Sequence, residues 1–219
     1  LLKDRPSVIV PDDHDVFQGN LWGQGGREIP GLKKPRPMRA NFGLGGYAMA
    51  PDWVHLAERC QTGHLPDPYD PQPIEQGIGV YYTALPFGGV GFAILEDRKF
   101  KPGPAGEEAK NGETTLLGAR QIAFLDAWAR DWSNGVTLKC ILSQTIFAQP
   151  VTHAGDGLPR RMEMKDNNAW PESGRNRAVA AIRKAFAFSL HGDQHLPLQL
   201  RHGIDDWEAA GVAFMGPAT

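Results

Sequence analysis

The sequence predicts an α/β fold, in which β-strands form a layer that packs against α-helices. Strand-like and amphipathic helical segments alternate in the second half of the chain. Hydrophobic residues make up 41% of the 219 residues and charged residues 22%, which is typical of a globular protein with a core. The 26 glycines and 18 prolines require long loops between the elements. We therefore expect a single, loop-rich domain over residues 1–219.

The first third of the chain predicts one buried strand and a long insertion. Val8 to Val10 is apolar and β-branched, which is typical of a strand buried on both faces. From Gln18 to Pro73 the chain is irregular, and one short helix is predicted over Asp52 to Cys60. A segment of this length and irregularity is typical of a functional loop or lid, and a plain surface insertion fits the pattern equally well. We expect its aromatic residues to anchor it over the rim of the functional site.

A β-hairpin and an amphipathic helix come next in the predicted fold. Ile78 to Leu85 and Val90 to Leu95 are strand-like, and Pro86 to Gly89 between them is typical of a hairpin turn. Apolar residues at steps of three and four predict a helix over Gly118 to Trp132. Asn134-Gly135 is then expected to form a left-handed cap at the end of this helix.

The remaining elements continue the alternation of strands and helices. Val136 to Leu142 contains β-branched residues and predicts a strand, and Arg175 to Phe186 repeats the amphipathic helical pattern. Leu196 to Leu200 alternates between apolar and polar residues, which predicts another strand. These elements complete the layered core.

Two clusters of polar residues each follow directly after a short apolar strand. The first contains Asp12, Asp13, His14 and Asp15, and the second contains His191, Asp193 and His195. Ligands of open α/β sheets bind at the carboxyl ends of strands, so the two clusters are expected to face one another. Carboxylates and imidazoles together suit Zn, Fe or Mn. Either cluster alone is also typical of an ordinary turn, but the presence of both favours a metal site.

Four motifs, in this order along the chain, resemble those of PhoD-type alkaline phosphatases of the calcineurin-like metallophosphoesterase superfamily. Asp12 to Asp15 resembles the Asp-Asp-His-Glu signature of that family. Phe92 to Arg98 is similar to its strand ending in Asp-x-Arg, with Glu96 where Asp is usual. Leu116 to Gln121 resembles its helix start, and Gly192 to His195 resembles its Gly-Asp-x-His motif. The resemblance implies a sandwich of mixed β-sheets flanked by helices, present here in part.

The resemblance also implies site residues and cofactors. His14 would be the catalytic imidazole, and Asn20 and Arg98 would bind the oxygens of the phosphate. The metal ligands would be Asp13, Gln144, Asp193 and His195, with Gln144 at a strand end where the superfamily has a histidine. These residues would hold two or more divalent or trivalent ions, of Fe, Ca, Mn or Zn. The substrate would be a small-molecule phosphate ester, and the compartment would be periplasmic or extracellular.

Some motifs of the superfamily have no counterpart in this chain. Nothing between Leu1 and Pro11 resembles its first two metal-binding motifs, so we expect this chain to be the C-terminal part of a longer catalytic domain. The alternative is a non-catalytic relic of the fold that binds a protein partner or a carbohydrate. A formal net charge of −2 argues against a nuclease. A membrane span needs about 18 consecutive apolar residues, and the sequence contains no apolar run of that length.

Overall fold

The computed structural model describes residues 7–8, 10, 65–66, 74–75, 78–97, 115–148, 157, 171–192, 197–205 and 211–216. The strands in this part of the chain are β1 (Ile74–Glu75), β2 (Ile78–Gly79), β3 (Thr83–Phe87), β4 (Val90–Ile94), β5 (Leu138–Ser143), β6 (Phe188–His191), β7 (Leu198–Arg201) and β8 (Val212–Met215). The helices are α1 (Gly118–Arg130) and α2 (Glu172–Arg183). Strands β3 to β8 form one mixed sheet beside the two helices, which confirms the predicted α/β fold class.

The order of the strands brings four carboxyl ends to one edge of this sheet. The order is β3-β4-β5-β6-β8-β7, and the four inner strands β4, β5, β6 and β8 are parallel. Strands β3 and β7 are antiparallel to their neighbours and flank the parallel strands. His191 lies level with Ser143 on one side and with Met215 on the other. We call the edge at which the four parallel strands end the carboxyl edge.

The predicted hairpin is confirmed as β3 and β4, which pair antiparallel through a two-residue turn. Gly88 and Gly89 form this turn with φ angles of 60° and 79°. Both angles lie in the left-handed region, which glycine adopts without steric cost, and such turns match the twist of a hairpin. The strand-like residues Ile78 and Gly79 belong instead to β2, which pairs with β1.

The two helices cover one face of the sheet and form the main core with it. Phe124 and Leu125 of α1 and Val179 and Ile182 of α2 are among its buried residues, and Ile141 is one of those that the sheet contributes. This arrangement follows from the spacing of the apolar residues, which places one stripe of each helix against the strands. No helix among the described residues is long and apolar enough to cross a membrane.

Both predicted helices end earlier than the sequence pattern indicates. Helix α1 ends at Arg130, and Asn134 and Gly135, with φ angles of 56° and 72°, lie in the turn before β5 rather than at the helix end. Asp131 is already extended, and the Nζ atom of Lys139 donates a hydrogen bond to its carbonyl oxygen at 2.6 Å. The predicted cap is therefore wrong, because a side chain from β5 binds the end of the helix.

Helix α2 ends at Arg183, three residues before the predicted end at Phe186. Phe186 has a φ angle of 51°, in the left-handed region that a bulky side chain rarely adopts. The chain needs this turn because β6 begins only two residues later, at Phe188. The close connection between α2 and the sheet therefore sets the end of the helix.

The prediction of a strand buried on both faces at the start of the chain is wrong for its described residues. Val8 and Val10 have no regular structure, and Val8 is 37% exposed. A strand needs a neighbouring strand to pair with, and neither residue pairs with a strand in the described sheet. Three apolar residues are too few to fix such a position. The predicted helix at 52–60 and the insertion 18–73, apart from Leu65 and Pro66, lie outside the described residues.

Candidate functional site

The end of β4 carries two acidic residues into the carboxyl edge of the sheet. Glu96 and Asp97 follow the strand and are 4% and 2% exposed. The side-chain amide of Gln121, from the first turn of α1, binds the main chain of Glu96 at two points. The amide oxygen accepts from the Glu96 N–H, and the amide nitrogen donates to the Glu96 carbonyl oxygen, each at 2.8 Å. The helix thus fixes the path of the chain as it leaves the strand.

The end of β5 is joined to this segment by a carboxylate. The Thr145 N–H donates a hydrogen bond to Oδ2 of Asp97 at 2.8 Å. The Thr145 hydroxyl donates to Oε1 of Gln144 at 2.7 Å, and the Gln144 carbonyl accepts from the N–H of Gly192 at 3.1 Å. Gln144 is 5% exposed. The residues after β4, β5 and β6 are therefore tied together at the carboxyl edge, with Gln144 between the other two segments.

His191 is a buried imidazole at the end of β6. Its side chain is 7% exposed and lies edge-on to Phe147, with 5.9 Å between the ring centroids. Neither ring nitrogen makes a hydrogen bond of ordinary geometry to any described residue, although main-chain groups of Ser143 and Thr145 lie near enough to favour the charged ring slightly. Burial and then the charge of His202 lower the pKa of His191 to about 3. The ring is therefore neutral at physiological pH.

The structure describes one of the seven predicted site residues. Gln144 lies at the carboxyl edge, as the family resemblance implies for a strand-end ligand. The predicted residues Asp13, His14, Asn20, Arg98, Asp193 and His195 lie outside the described residues. Asp97 and Gly192, which precede Arg98 and Asp193 in the chain, lie on either side of Gln144.

The supporting residues Asp97, Thr145 and Gln121 were not predicted as part of the site. Gln121 carried a detectable signal, because it lies one turn from Leu117 and from Leu125, on the apolar stripe of α1. A polar residue in that position must find a partner in the core. Within the described part of the chain, no group of three or more His, Cys, Asp or Glu side chains is placed to hold a metal ion.

Comparison with known proteins supports the fold. No protein-family model matches the chain, and no curated protein matches it by sequence. Its fold is similar to the solved structure of PhoD, with a TM-score of 0.58 and 20% sequence identity. The chain has a PhoD-like fold. The similarity covers 94% of this chain, which spans 38% of the PhoD chain.

Proposed function

We propose that this chain belongs to a metal-dependent phosphate-ester hydrolase of the alkaline phosphatase or phosphodiesterase type. The observation that carries the proposal is the tethered Gln144 at the carboxyl edge of a PhoD-like sheet. Ligands of α/β sheets gather at this edge. The resemblance of the four ordered motifs implies the same function. The substrate is a small-molecule phosphate ester, and the compartment is periplasmic or extracellular.

Gln144 fits a role in holding a hard cation. An amide oxygen has two lone pairs, so its bond from Thr145 is compatible with a second contact. Oxygen donors suit Ca or Mn better than soft metals. Asp13, Asp193 and His195 would supply the remaining ligands. Bound ions would polarise the phosphate and lower the pKa of a water molecule.

The other predicted residues act on the phosphate and the leaving group. His14 protonates the leaving oxygen as general acid, which typically contributes about 10²–10⁴-fold to a rate. Arg98 and Asn20 bind phosphate oxygens through N–H donors, and an arginine can do so with two parallel hydrogen bonds. These groups hold the ester with its leaving oxygen toward His14.

Gln144→Leu in the native protein tests the proposal. Hydrolysis of p-nitrophenyl phosphate and of its diester is measured with added Mn²⁺ or Ca²⁺, and bound Mn²⁺ is counted by electron spin resonance. We expect Gln144→Leu to lower Mn²⁺ affinity and turnover by at least about tenfold.

Gln199→Leu is the matched control, because Gln199 is an exposed glutamine on β7. It should keep both quantities within about twofold of the native protein, since substitutions at such surface positions have small effects. A native protein that neither binds Mn²⁺ nor hydrolyses either ester would contradict the proposal and support the non-catalytic alternative.

A further inference from the structure

We propose that Gln121, Asp97 and Thr145 are positioning residues that together fix the side-chain amide of Gln144. Gln121 binds the main chain of Glu96, and from the next residue, Asp97, two further hydrogen bonds lead through Thr145 to Gln144 at the carboxyl edge. The inference rests on the proposed function, in which Gln144 is a ligand. It adds a set of residues whose effect on the reaction is exerted through Gln144.

The first link is the contact between the Gln121 side chain and the main chain of Glu96, which takes the place of strand pairing beyond the end of β3. Thr83 and Ile94 are the last register pair between β3 and β4. Leu95 still donates its N–H to β5, so the main-chain groups of Glu96 point to the opposite side, beyond the end of β3. The Gln121 amide occupies this place and supplies the acceptor and the donor that a strand would provide.

The orientation of the Gln121 amide is determined by its partners. Its nitrogen donates to the carbonyl oxygens of Glu96 and Leu117, at 2.8 and 3.0 Å, which uses both of its hydrogens. If the amide oxygen and nitrogen were exchanged, the oxygen would face the carbonyl oxygens of Glu96 and Leu117, and the nitrogen would face the Glu96 N–H. Neither pairing can form a hydrogen bond. Gln121 is fully buried, so unsatisfied groups there would be costly. The clamp on Glu96 therefore has a single favourable arrangement.

The second link connects Asp97 to Gln144 through two hydrogen bonds of Thr145. Asp97 follows the clamped residue, and Oδ2 of its carboxyl group accepts a hydrogen bond from the Thr145 N–H at 2.8 Å. The Thr145 hydroxyl has one hydrogen, which it donates to Oε1 of Gln144. This bond holds the Gln144 amide in place, with Oε1 toward the Thr145 hydroxyl. A ligand oxygen held in one orientation loses less conformational entropy when it binds.

The last link is tested with the least disruptive pair of substitutions, Thr145→Val and Thr145→Ser. Valine keeps the shape and the main-chain N–H but removes the hydroxyl, whereas serine keeps the hydroxyl. The side-chain NH₂ resonances of Gln144 are followed by ¹⁵N NMR in the native protein. We expect them to shift and broaden in Thr145→Val and to stay near their native positions in Thr145→Ser. Unchanged Gln144 resonances in Thr145→Val would overturn the proposal.

The earlier links are tested with Asp97→Leu, Asp97→Asn and Gln121→Met. Asparagine retains an acceptor for the Thr145 N–H, so it should preserve the Gln144 resonances, and the other two variants should disturb them. In kinetics with p-nitrophenyl phosphate, Asp97→Leu should lower kcat by about 10–100-fold with KM within about threefold, and Asp97→Asn should recover most of the rate. If Asp97→Leu or Gln121→Met fails to fold, Asp97→Asn and the Thr145 pair still decide.

The two kinds of measurement separate this inference from the proposed function. A native protein without esterase activity, but with Gln144 resonances that respond as expected, would contradict the function and leave the positioning established. An active enzyme in which substitutions at Thr145, Asp97 and Gln121 all leave the Gln144 resonances unchanged would contradict the positioning alone.

Discussion

His191 and His202 are two neighbouring histidines whose burial keeps them neutral. Burial and the positive charge of Arg175 lower the pKa of His202 to about 4, and the pKa of His191 is lower still, at about 3. The Nδ1 atom of His202 and both ring nitrogens of His191 make no hydrogen bond of ordinary geometry to described residues. For both rings the cost of burying the charged form is the largest influence on the pKa, and for His191 it outweighs the main-chain groups that favour the charged ring. Protonation of either ring therefore opposes folding.

The stability of the protein should consequently fall as the pH drops below 6.5. Above that pH both rings are neutral in the folded and the unfolded chain, and they add no pH dependence. Below it the unfolded chain binds the protons first, so the free energy of unfolding decreases by up to about 1.4 kcal/mol per pH unit for each ring. This decrease continues until the pH approaches the lowered pKa values of about 4 and 3.

Urea unfolding at pH 7, 6 and 5 checks this expectation. The comparison is with His191→Gln, which cannot titrate, because the difference between the two proteins cancels the effects of other titrating groups. The variant should lose less stability than the native protein between pH 6.5 and 5. Equal losses in both proteins would show that His191 does not bind its proton preferentially in the unfolded chain.

Lys139 stabilises the end of helix α1. Its side chain is 1% exposed, and its Nζ atom donates hydrogen bonds to the carbonyl oxygens of Trp128 and Asp131. The same atom lies 4.5 Å from the ring centre of Trp128 and 4.8 Å from that of Trp132. Burial lowers the pKa of Lys139, and the charge of Asp131 opposes this shift. A cation at a helix C-terminus interacts favourably with the helix dipole.

Lys139→Met should lower the free energy of unfolding by about 1–3 kcal/mol, because it removes the hydrogen bonds that Nζ donates to the carbonyl oxygens of Trp128 and Asp131. Methionine retains much of the apolar stem. Lys184→Met is the control, since Lys184 is about half exposed and pairs with Asp126 on the surface at 2.7 Å. Its loss should cost at most about 1 kcal/mol. Equal effects of the two substitutions, measured by urea unfolding, would refute the role of Lys139.

The contrast between predicted and observed elements follows from the range of the interactions involved. The hairpin β3–β4 and the core stripes of both helices were predictable because residues a few positions apart determine them. The end of α1 was not, because Lys139 from β5 binds it through a tertiary contact. The end of α2 was not either, because it depends on where β6 enters the sheet. The site shows the same limit. Gln144 was predicted from the family resemblance, but the hydrogen bond between the neighbouring Thr145 and Asp97 joins residues 48 positions apart.

Cys140 lies at the centre of the sheet. It belongs to β5, between β4 and β6, and its side chain is fully buried. Burial raises the pKa of its thiol to about 12, which suppresses the reactive thiolate in the folded protein. The described strands on both sides hold it in place, so local fraying of an edge strand does not expose it. Reaction of this thiol should require global unfolding.

Labelling of Cys140 by a thiol reagent should therefore measure the stability of the entire sheet. Cys60 is replaced by serine, so that Cys140 is the remaining thiol of the chain. For a global stability of about 5–10 kcal/mol, native labelling should be about 10⁴–10⁷-fold slower than labelling of the unfolded chain. Adding Lys139→Met should accelerate labelling about tenfold for each 1.4 kcal/mol that it removes in urea unfolding. A labelling rate that changes neither with urea nor with this substitution would show that Cys140 becomes exposed through a local opening. In such an opening the central strands separate while the rest of the core stays folded.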